Sequence, residues 1–223
     1  MTQAGSMTSH PSVRRRLLSE FALLFAAVPI LIAVLLPATL MFPALFAFTA
    51  LGIALLHFTP GFGWAELRYN WRAWTARELV VFAVAVTLIC IAIIYVARPE
   101  AAFFLLRNEP ALLAFIWIGY PLVSALPQEL LFRVLFFRRY AAILPEGWRA
   151  DLLNAALFSL AHLMYWSWIV AVMTFVGGLI FTYAYRQRGS FFFAVLLHAI
   201  AGNLLFAIGL GVYFYSGNVV RPF

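Results

Sequence analysis

Residues 17–58 read LLSEFALLFAAVPILIAVLLPATLMFPALFAFTALGIALLHF, and this long apolar stretch decides the fold class. A membrane-spanning helix needs about 20 predominantly apolar residues, so the stretch is about twice as long as one span. Pro37 and Pro43 lie near its middle, and a proline there interrupts the hydrogen bonds of a helix. The stretch therefore predicts two antiparallel spans that are joined by a turn.

The rest of the chain has the same character. Of its 223 residues, 65% are hydrophobic and only 10% are charged, whereas a soluble domain has about 25% charged residues. A soluble fold is therefore excluded, and we predict an all-α, polytopic bundle of about seven transmembrane helices. We expect a tail at 1–16 and one helical domain at 17–223, in which the last five spans are Glu78–Ala97, Pro110–Tyr140, Asp151–Tyr165, Trp168–Tyr185 and Ser190–Tyr213.

The basic residues predict the orientation of these spans. All fifteen are Arg, and with seven spans and a cytoplasmic amino terminus all but four fall on the cytoplasmic side; Arg133 lies within a span, and those on the outer side are Arg98, Arg107 and Arg221. This excess of arginine is what the positive-inside rule requires. The net charge of +7 therefore indicates a lipid bilayer as partner and no nucleic acid. We expect an integral protein of the bacterial inner membrane.

A few ionisable side chains lie inside the predicted spans, where each costs about 2.5 to 3.5 kcal/mol on insertion scales. Glu129 and Arg133 are four residues apart and share one helix face, so they can form an ion pair. His162 and His198 lie on the fifth and seventh spans. Each could be structural on its own, since histidine often forms hydrogen bonds between helices.

These residues are predicted to lie at a similar depth in the membrane. At 1.5 Å per residue, Glu129, His162 and His198 lie about 12 to 16 Å from the inner ends of their helices. Such a layer, among the fourth, fifth and seventh spans, requires a water-filled pocket. A carboxylate and imidazoles around water are groups that can activate it for attack on a carbonyl. Asn203, close to His198 on the seventh span, can donate hydrogen bonds to an oxyanion.

Three short motifs carry a family resemblance: QELLFR at 128–133, FSLAH at 158–162 and HAIAGN at 198–203. Their order and helix placement resemble those of the CAAX protease and bacteriocin-processing (CPBP, or Abi) family of intramembrane glutamic endopeptidases, over about 110–213. The resemblance implies hydrolysis of a peptide bond in a membrane-associated protein or peptide, without a cofactor. It implies that Glu129 and His162 activate the water, that His198 and Asn203 stabilise the oxyanion, and that Gln128 and Arg133 support them.

Two residues depart from the family pattern. Gln128 stands where the family has the first glutamate of an E-E-x-x-x-R motif, and glutamine cannot act as a general base. Asn203 follows His198 by five residues instead of four, which rotates it by about 100° on an ideal helix. Gly202 occupies the family position, so a local unwinding there would be needed to bring Asn203 to the site.

Three alternatives remain open at this stage. Gln128 favours a non-catalytic family member, a scaffold or a bacteriocin immunity-type protein that binds the same substrates. A proton-coupled transporter could use the same ionisable residues as a relay, although the sequence shows no internal repeat of the kind such carriers contain. Zinc hydrolysis is the third, since His162, His198 and Glu129 could together bind a catalytic zinc.

Overall fold

The computed structural model describes residues 11–219 and 221–222, and within these ranges the chain is helical with no strand. The predicted all-α bundle is therefore confirmed. Seven main helices, α1 to α7 in chain order, form it: Pro11–Leu35, Met41–His57, Ala76–Ala97, Pro110–Arg139, Trp148–Ala161, Trp168–Arg186 and Phe191–Ile208. Shorter helical turns connect them at Ala38–Leu40, Trp64–Arg68, Pro99–Ala101, Phe104–Asn108 and Leu163–Tyr165, and Gly211–Phe214 and Ser216–Asn218 follow α7.

Five of the seven helices, α1, α3, α4, α6 and α7, are long and apolar enough to cross a membrane. The other two, α2 and α5, have 17 and 14 residues, fewer than the roughly 20 that a full crossing requires. The predicted hairpin turn lies where its prolines place it, because α1 ends at Leu35 and α2 begins at Met41. Residues 1–10 of the predicted tail lie outside the described ranges, while 11–16 are already helical.

Helix α4 is the central element and runs without a break through Pro121 and Pro127. Two of its stretches, Pro121–Ala125 and Leu130–Leu135, are π-helical. Pro121 has no backbone N–H, so the regular ladder of hydrogen bonds is interrupted there. A π-helical turn contains more residues than an α-helical turn and therefore rotates every side chain that follows it. Such turns often occur at functional sites.

Residues 129–136 of α4 are all buried, and the core of the bundle forms around them. Aromatic rings contact one another edge to face along this helix, as Phe25 does with both Phe132 and Phe136. Helix α5 approaches α6 closely because Gly178 has no side chain: a Cβ there would lie 2.9 Å from the Cα of Ala155. This close packing brings the residues that end α5 beside the site.

Ion pairs join the helices at the end of the bundle that carries Arg138, Arg139, Arg186 and Arg188, here called the arginine-rich end. Their carboxylate partners are Glu66, Glu20, Asp151 and Glu78, respectively. Glu20 also accepts a hydrogen bond of 2.6 Å from the Tyr140 hydroxyl, so α1 is fixed to the end of α4. The sequence analysis missed this role of Glu20, a carboxylate inside the first apolar stretch.

Candidate active site

Glu129 is fully buried on α4, and of its two carboxylate oxygens Oε1 is hydrogen-bonded and Oε2 lies within ion-pair distance of an arginine. Oε1 lies 2.8 Å from Nδ1 of His198, and Oε2 lies 3.0 Å from Nε of Arg133. The predicted ion pair with Arg133 is therefore present. Glu129 does not line the central cavity, so it is positioned to hold neighbouring side chains and not to contact a substrate.

A buried network of hydrogen bonds holds the side chain of Arg133. Its Nη1 donates to Oδ1 of Asn154 and, over 3.3 Å, to the carbonyl of Phe132. The Asn154 amide also donates to the Phe132 carbonyl over 2.6 Å, and Thr182 donates to Asn154 Oδ1 over 2.8 Å. This chain connects α4, α5 and α6. Neither Asn154 nor Thr182 was predicted, since a single polar residue in an apolar helix forms no motif.

His198 lies between Glu129 and a tyrosine that the sequence analysis missed. A carboxylate can only accept, so Nδ1 of His198 carries the proton in this pair. Its other nitrogen, Nε2, lies 3.0 Å from the Tyr120 hydroxyl on α4. The imidazole also stacks on Phe181, with ring centroids 4.7 Å apart and planes at 12°. Only one general feature of the sequence pointed to Tyr120: a tyrosine inside a membrane span needs a hydrogen-bond partner for its hydroxyl.

Gly202 explains how Tyr120 reaches His198. A side chain at Gly202 would overlap the Tyr120 ring, so the glycine makes the room in which the ring lies. Helix α7 is regular at this point, and Asn203 is turned away from the cavity. The Asn203 amide donates to the Trp117 carbonyl, and the Trp117 indole donates to the Asn203 carbonyl, both over 3.1 Å. Asn203 therefore fastens α7 to α4 outside the cavity.

His162 directly follows α5 and faces the cavity. Its Nδ1 lies 2.8 Å from the Phe158 carbonyl. A carbonyl oxygen only accepts, so Nδ1 is the protonated nitrogen and Nε2 keeps its lone pair. The Phe158 ring contacts both imidazoles, with centroids 4.8 Å from His162 and 5.7 Å from His198. His162 is therefore oriented as a hydrogen-bond acceptor and a potential base.

The cavity has a volume of about 690 Å³. Gln128 lines it, whereas its neighbour Glu129 does not. The Gln128 amide nitrogen donates to Ser124 over 2.9 Å, while its oxygen has no hydrogen-bond partner among the described residues. Gln128 and His162, each with one acceptor atom that lacks a proton, thus line one cavity, while the Gln128 amide oxygen itself is buried.

The predicted cluster is therefore divided into three parts. Gln128, His162 and His198 line the cavity, Glu129 and Arg133 lie behind it, and Asn203 lies beside it. The expected arrangement, in which Glu129 and His162 share a water, is not the one the structure shows. Consecutive residues of a helix point about 100° apart, so only one of Gln128 and Glu129 can face the cavity.

The zinc alternative requires three ligands that converge. Within the described ranges, no three His, Cys, Asp or Glu side chains form a group that could hold a metal ion. Glu129, His162 and His198 do not fit such a site, because both oxygens of Glu129 are bound to Arg133 and His198. We derive no step through a metal.

Membrane-length helices around a largely apolar cavity define the class as an integral membrane helical bundle. Residues 110–213 match the family model "Type II CAAX prenyl endopeptidase Rce1-like". This region is therefore similar to that family, and the resemblance to the CAAX protease and bacteriocin-processing proteins is confirmed over these residues. Neither a curated protein nor a solved structure matches the chain.

Proposed function

We propose that this protein is an intramembrane endopeptidase that hydrolyses a peptide bond in a membrane-associated protein or peptide, with His162 as its general base. One observation carries the proposal. His162, whose Nε2 is unprotonated, lines the same cavity as Gln128, and the buried amide oxygen of Gln128 has no hydrogen-bond partner among the described residues. The similarity to the family supports the assignment as an intramembrane protease or a related family member. We propose the roles of the individual residues.

The two acceptors suit one water molecule. The water donates one hydrogen to Nε2 of His162 and the other to the oxygen of Gln128, so its lone pair faces the substrate carbonyl. As the new C–O bond forms, Nε2 takes the proton. The same proton then passes to the leaving amine as the C–N bond breaks. Gln128 orients the water and does not change its own protonation state.

The Tyr120 hydroxyl, held 3.0 Å from His198, stabilises the developing oxyanion by turning its hydrogen from Nε2 to the substrate oxygen. A hydrogen-bond donor directed at the charge that develops in the transition state lowers the barrier. Glu129 and Arg133 keep His198 in position from behind the cavity wall, so we assign them a positioning role.

A second candidate function is a binding protein of the same family that does not cleave its ligand. It is favoured by one observation: no Asp or Glu is among the described residues that line the cavity. Such a protein would hold the same peptides in the cavity and release them unchanged. Gln128 would then mark a site that has lost its water-activating carboxylate.

The two candidates are separated by a cleavage assay on the purified protein in lipid nanodiscs. The substrates are a quenched fluorescent farnesylated CAAX peptide and a capped apolar peptide. We expect cleavage by the wild type and a loss of about 10²- to 10⁴-fold in His162→Ala, the range for removal of a general base. His57→Ala is the matched control, since His57 ends α2 and does not line the cavity.

The substitution Gln128→Glu provides the second comparison. It introduces a carboxylate at a position that lines the cavity. If the wild type binds peptide without cleaving it and Gln128→Glu cleaves, the binding protein is the correct assignment. We also propose that the reaction needs no metal, so cleavage should persist after treatment with a zinc chelator. Loss of cleavage and rescue by zinc would contradict this.

A further inference from the structure

We propose that the cavity accepts an uncharged, apolar stretch from the interior of a polypeptide, and that it disfavours the carboxylate-ended segment of a CAAX terminus. This inference rests on the proposed function and specifies its substrate class. A CAAX terminus ends in a free carboxylate only three residues after its prenylated cysteine. The cavity wall would have to provide a cation for that group.

The described residues that line the cavity include no Arg, Lys, Asp or Glu. Their polar groups are neutral side chains, mainly those of Tyr120, Ser124, Gln128, Tyr165 and Thr174 with the two histidines. The rest of the wall consists of aliphatic and aromatic side chains from all seven main helices. Burying a carboxylate without a charged partner is costly, whereas an apolar or hydrogen-bonded neutral segment is accepted.

Arg133 is the arginine nearest in sequence to Gln128, yet it is not available to a substrate. Its side chain is fully buried and is not part of the cavity wall. Its charge is already paired with Glu129, and the rings of Phe158 and Phe181 lie 5.1 and 5.9 Å from its guanidinium carbon. These rings line the cavity and cover the cation.

The arginine-rich end is also out of reach. Three extended residues span about 10 Å at most. Along α4, Arg138 lies about 15 Å from the level of Gln128 at 1.5 Å per residue, and its guanidinium is paired with Glu66 at 2.7 Å. Toward the other end, the wall continues to Leu112, about 24 Å from Gln128 by the same rise. A carboxylate three residues from the cleaved bond therefore stays within the cavity and reaches neither end of the bundle.

The test compares two peptides that differ only in this charge. Farnesyl-Cys-Val-Ile-Ala is prepared as the free acid and as the carboxy-terminal amide, each with a fluorescent amino-terminal label. Binding is measured by anisotropy in nanodiscs at pH 7 with His162→Ala, in which turnover does not consume the peptide. We expect the amide to bind at least about tenfold more tightly, because one unpaired buried charge costs more than one decade in affinity.

A cation added to the wall should change this preference. Val172 lines the cavity on α6, one turn from the start of that helix, and is 54% exposed. Val172→Lys should improve acid binding and reduce the difference between acid and amide. Val96→Lys is the matched control, since Val96 is 88% exposed near the end of α3 and does not line the cavity.

Equal or tighter binding of the acid to the unmodified cavity would overturn the inference, as would failure of both peptides to bind. An unchanged preference in Val172→Lys, with the protein folded, would also contradict it. Amide binding without cleavage of any peptide by the wild type would instead contradict the proposed function alone.

Discussion

Glu129 contacts two buried side chains, those of Arg133 and His198, and does not line the cavity. It is the one carboxylate beside His198, and it is also the counter-charge of the buried Arg133. Removing one partner of a buried ion pair leaves an uncompensated charge, which destabilises a protein by about 3 to 5 kcal/mol. An inactive variant at this position would therefore not identify a catalytic base.

We predict that Glu129→Gln lowers the thermal stability of the protein in nanodiscs by this mechanism. The matched control is Glu66→Gln, since Glu66 pairs with Arg138 on the surface, where the two side chains are 41% and 43% exposed. Exposed pairs contribute about 0 to 1 kcal/mol. The double variant Glu129→Gln/Arg133→Gln should recover part of the loss. Equal melting temperatures for Glu129→Gln and Glu66→Gln would contradict the prediction.

A second prediction for a single residue concerns the catalytic role of Tyr120. Tyr120→Phe keeps the ring that packs against Gly202 and removes the hydroxyl that bonds His198. We expect kcat to fall by about 10²- to 10³-fold, as for removal of one oxyanion donor, with KM little changed. Tyr165→Phe is the control, because Tyr165 also lines the cavity but has no assigned role. Similar kinetics for the two variants would sink the assignment.

At the scale of the element, the close approach of helices α4 and α7 determines the position of the Tyr120 side chain in the site. Tyr120 fits against α7 only because residue 202 has no side chain. We predict that Gly202→Ala displaces the Tyr120 ring and lowers both cleavage and stability. Gly119→Ala is the control, since a Cβ at this position of α4 meets no atom within 4 Å. A Gly202→Ala protein that cleaves like Gly119→Ala would show that this contact is unimportant.

The same helices show what the sequence could predict and what it could not. Long apolar stretches determine the helices, so a helix lies in each of the seven predicted regions, although α1 begins at Pro11 and α2 and α5 are shorter than a full span. The motifs also bring Glu129 and His198 together. The rotation of α4 was not predictable, because its π-helical stretches change the direction of the side chains and the second stretch, Leu130–Leu135, contains no proline or glycine that would mark it. Asn203 lies on a regular helix, so the unwinding that would have turned it into the site is absent at Gly202.

Orientation is a property of the whole molecule. The arginine distribution supports our proposal that the arginine-rich end is cytoplasmic in a bacterial inner membrane. We predict that in a Cys90→Ser background a cysteine at Ala141 is protected from a membrane-impermeant thiol reagent in intact cells. A cysteine at Glu100, which is exposed at the opposite end, should react. Labelling of both or the reverse pattern would contradict this orientation.

The bundle separates its buried charges from its apolar cavity. This separation suits a protein that hydrolyses a peptide bond inside a membrane, as proposed above. The charged pair Glu129–Arg133 is kept out of the cavity, and only neutral side chains face the space where a substrate would lie. The protein thus limits the cost of ionisable groups at membrane depth, which is high wherever they face lipid.

Cleavage of an apolar peptide in water enriched in ¹⁸O tests the central claim most directly. We predict that the wild type in nanodiscs yields a product whose new carboxylate contains one ¹⁸O, found by mass spectrometry, and that His162→Ala yields almost none. Product formation by His162→Ala at the wild-type rate, or no cleavage by the wild type while the peptide is bound, would contradict the account.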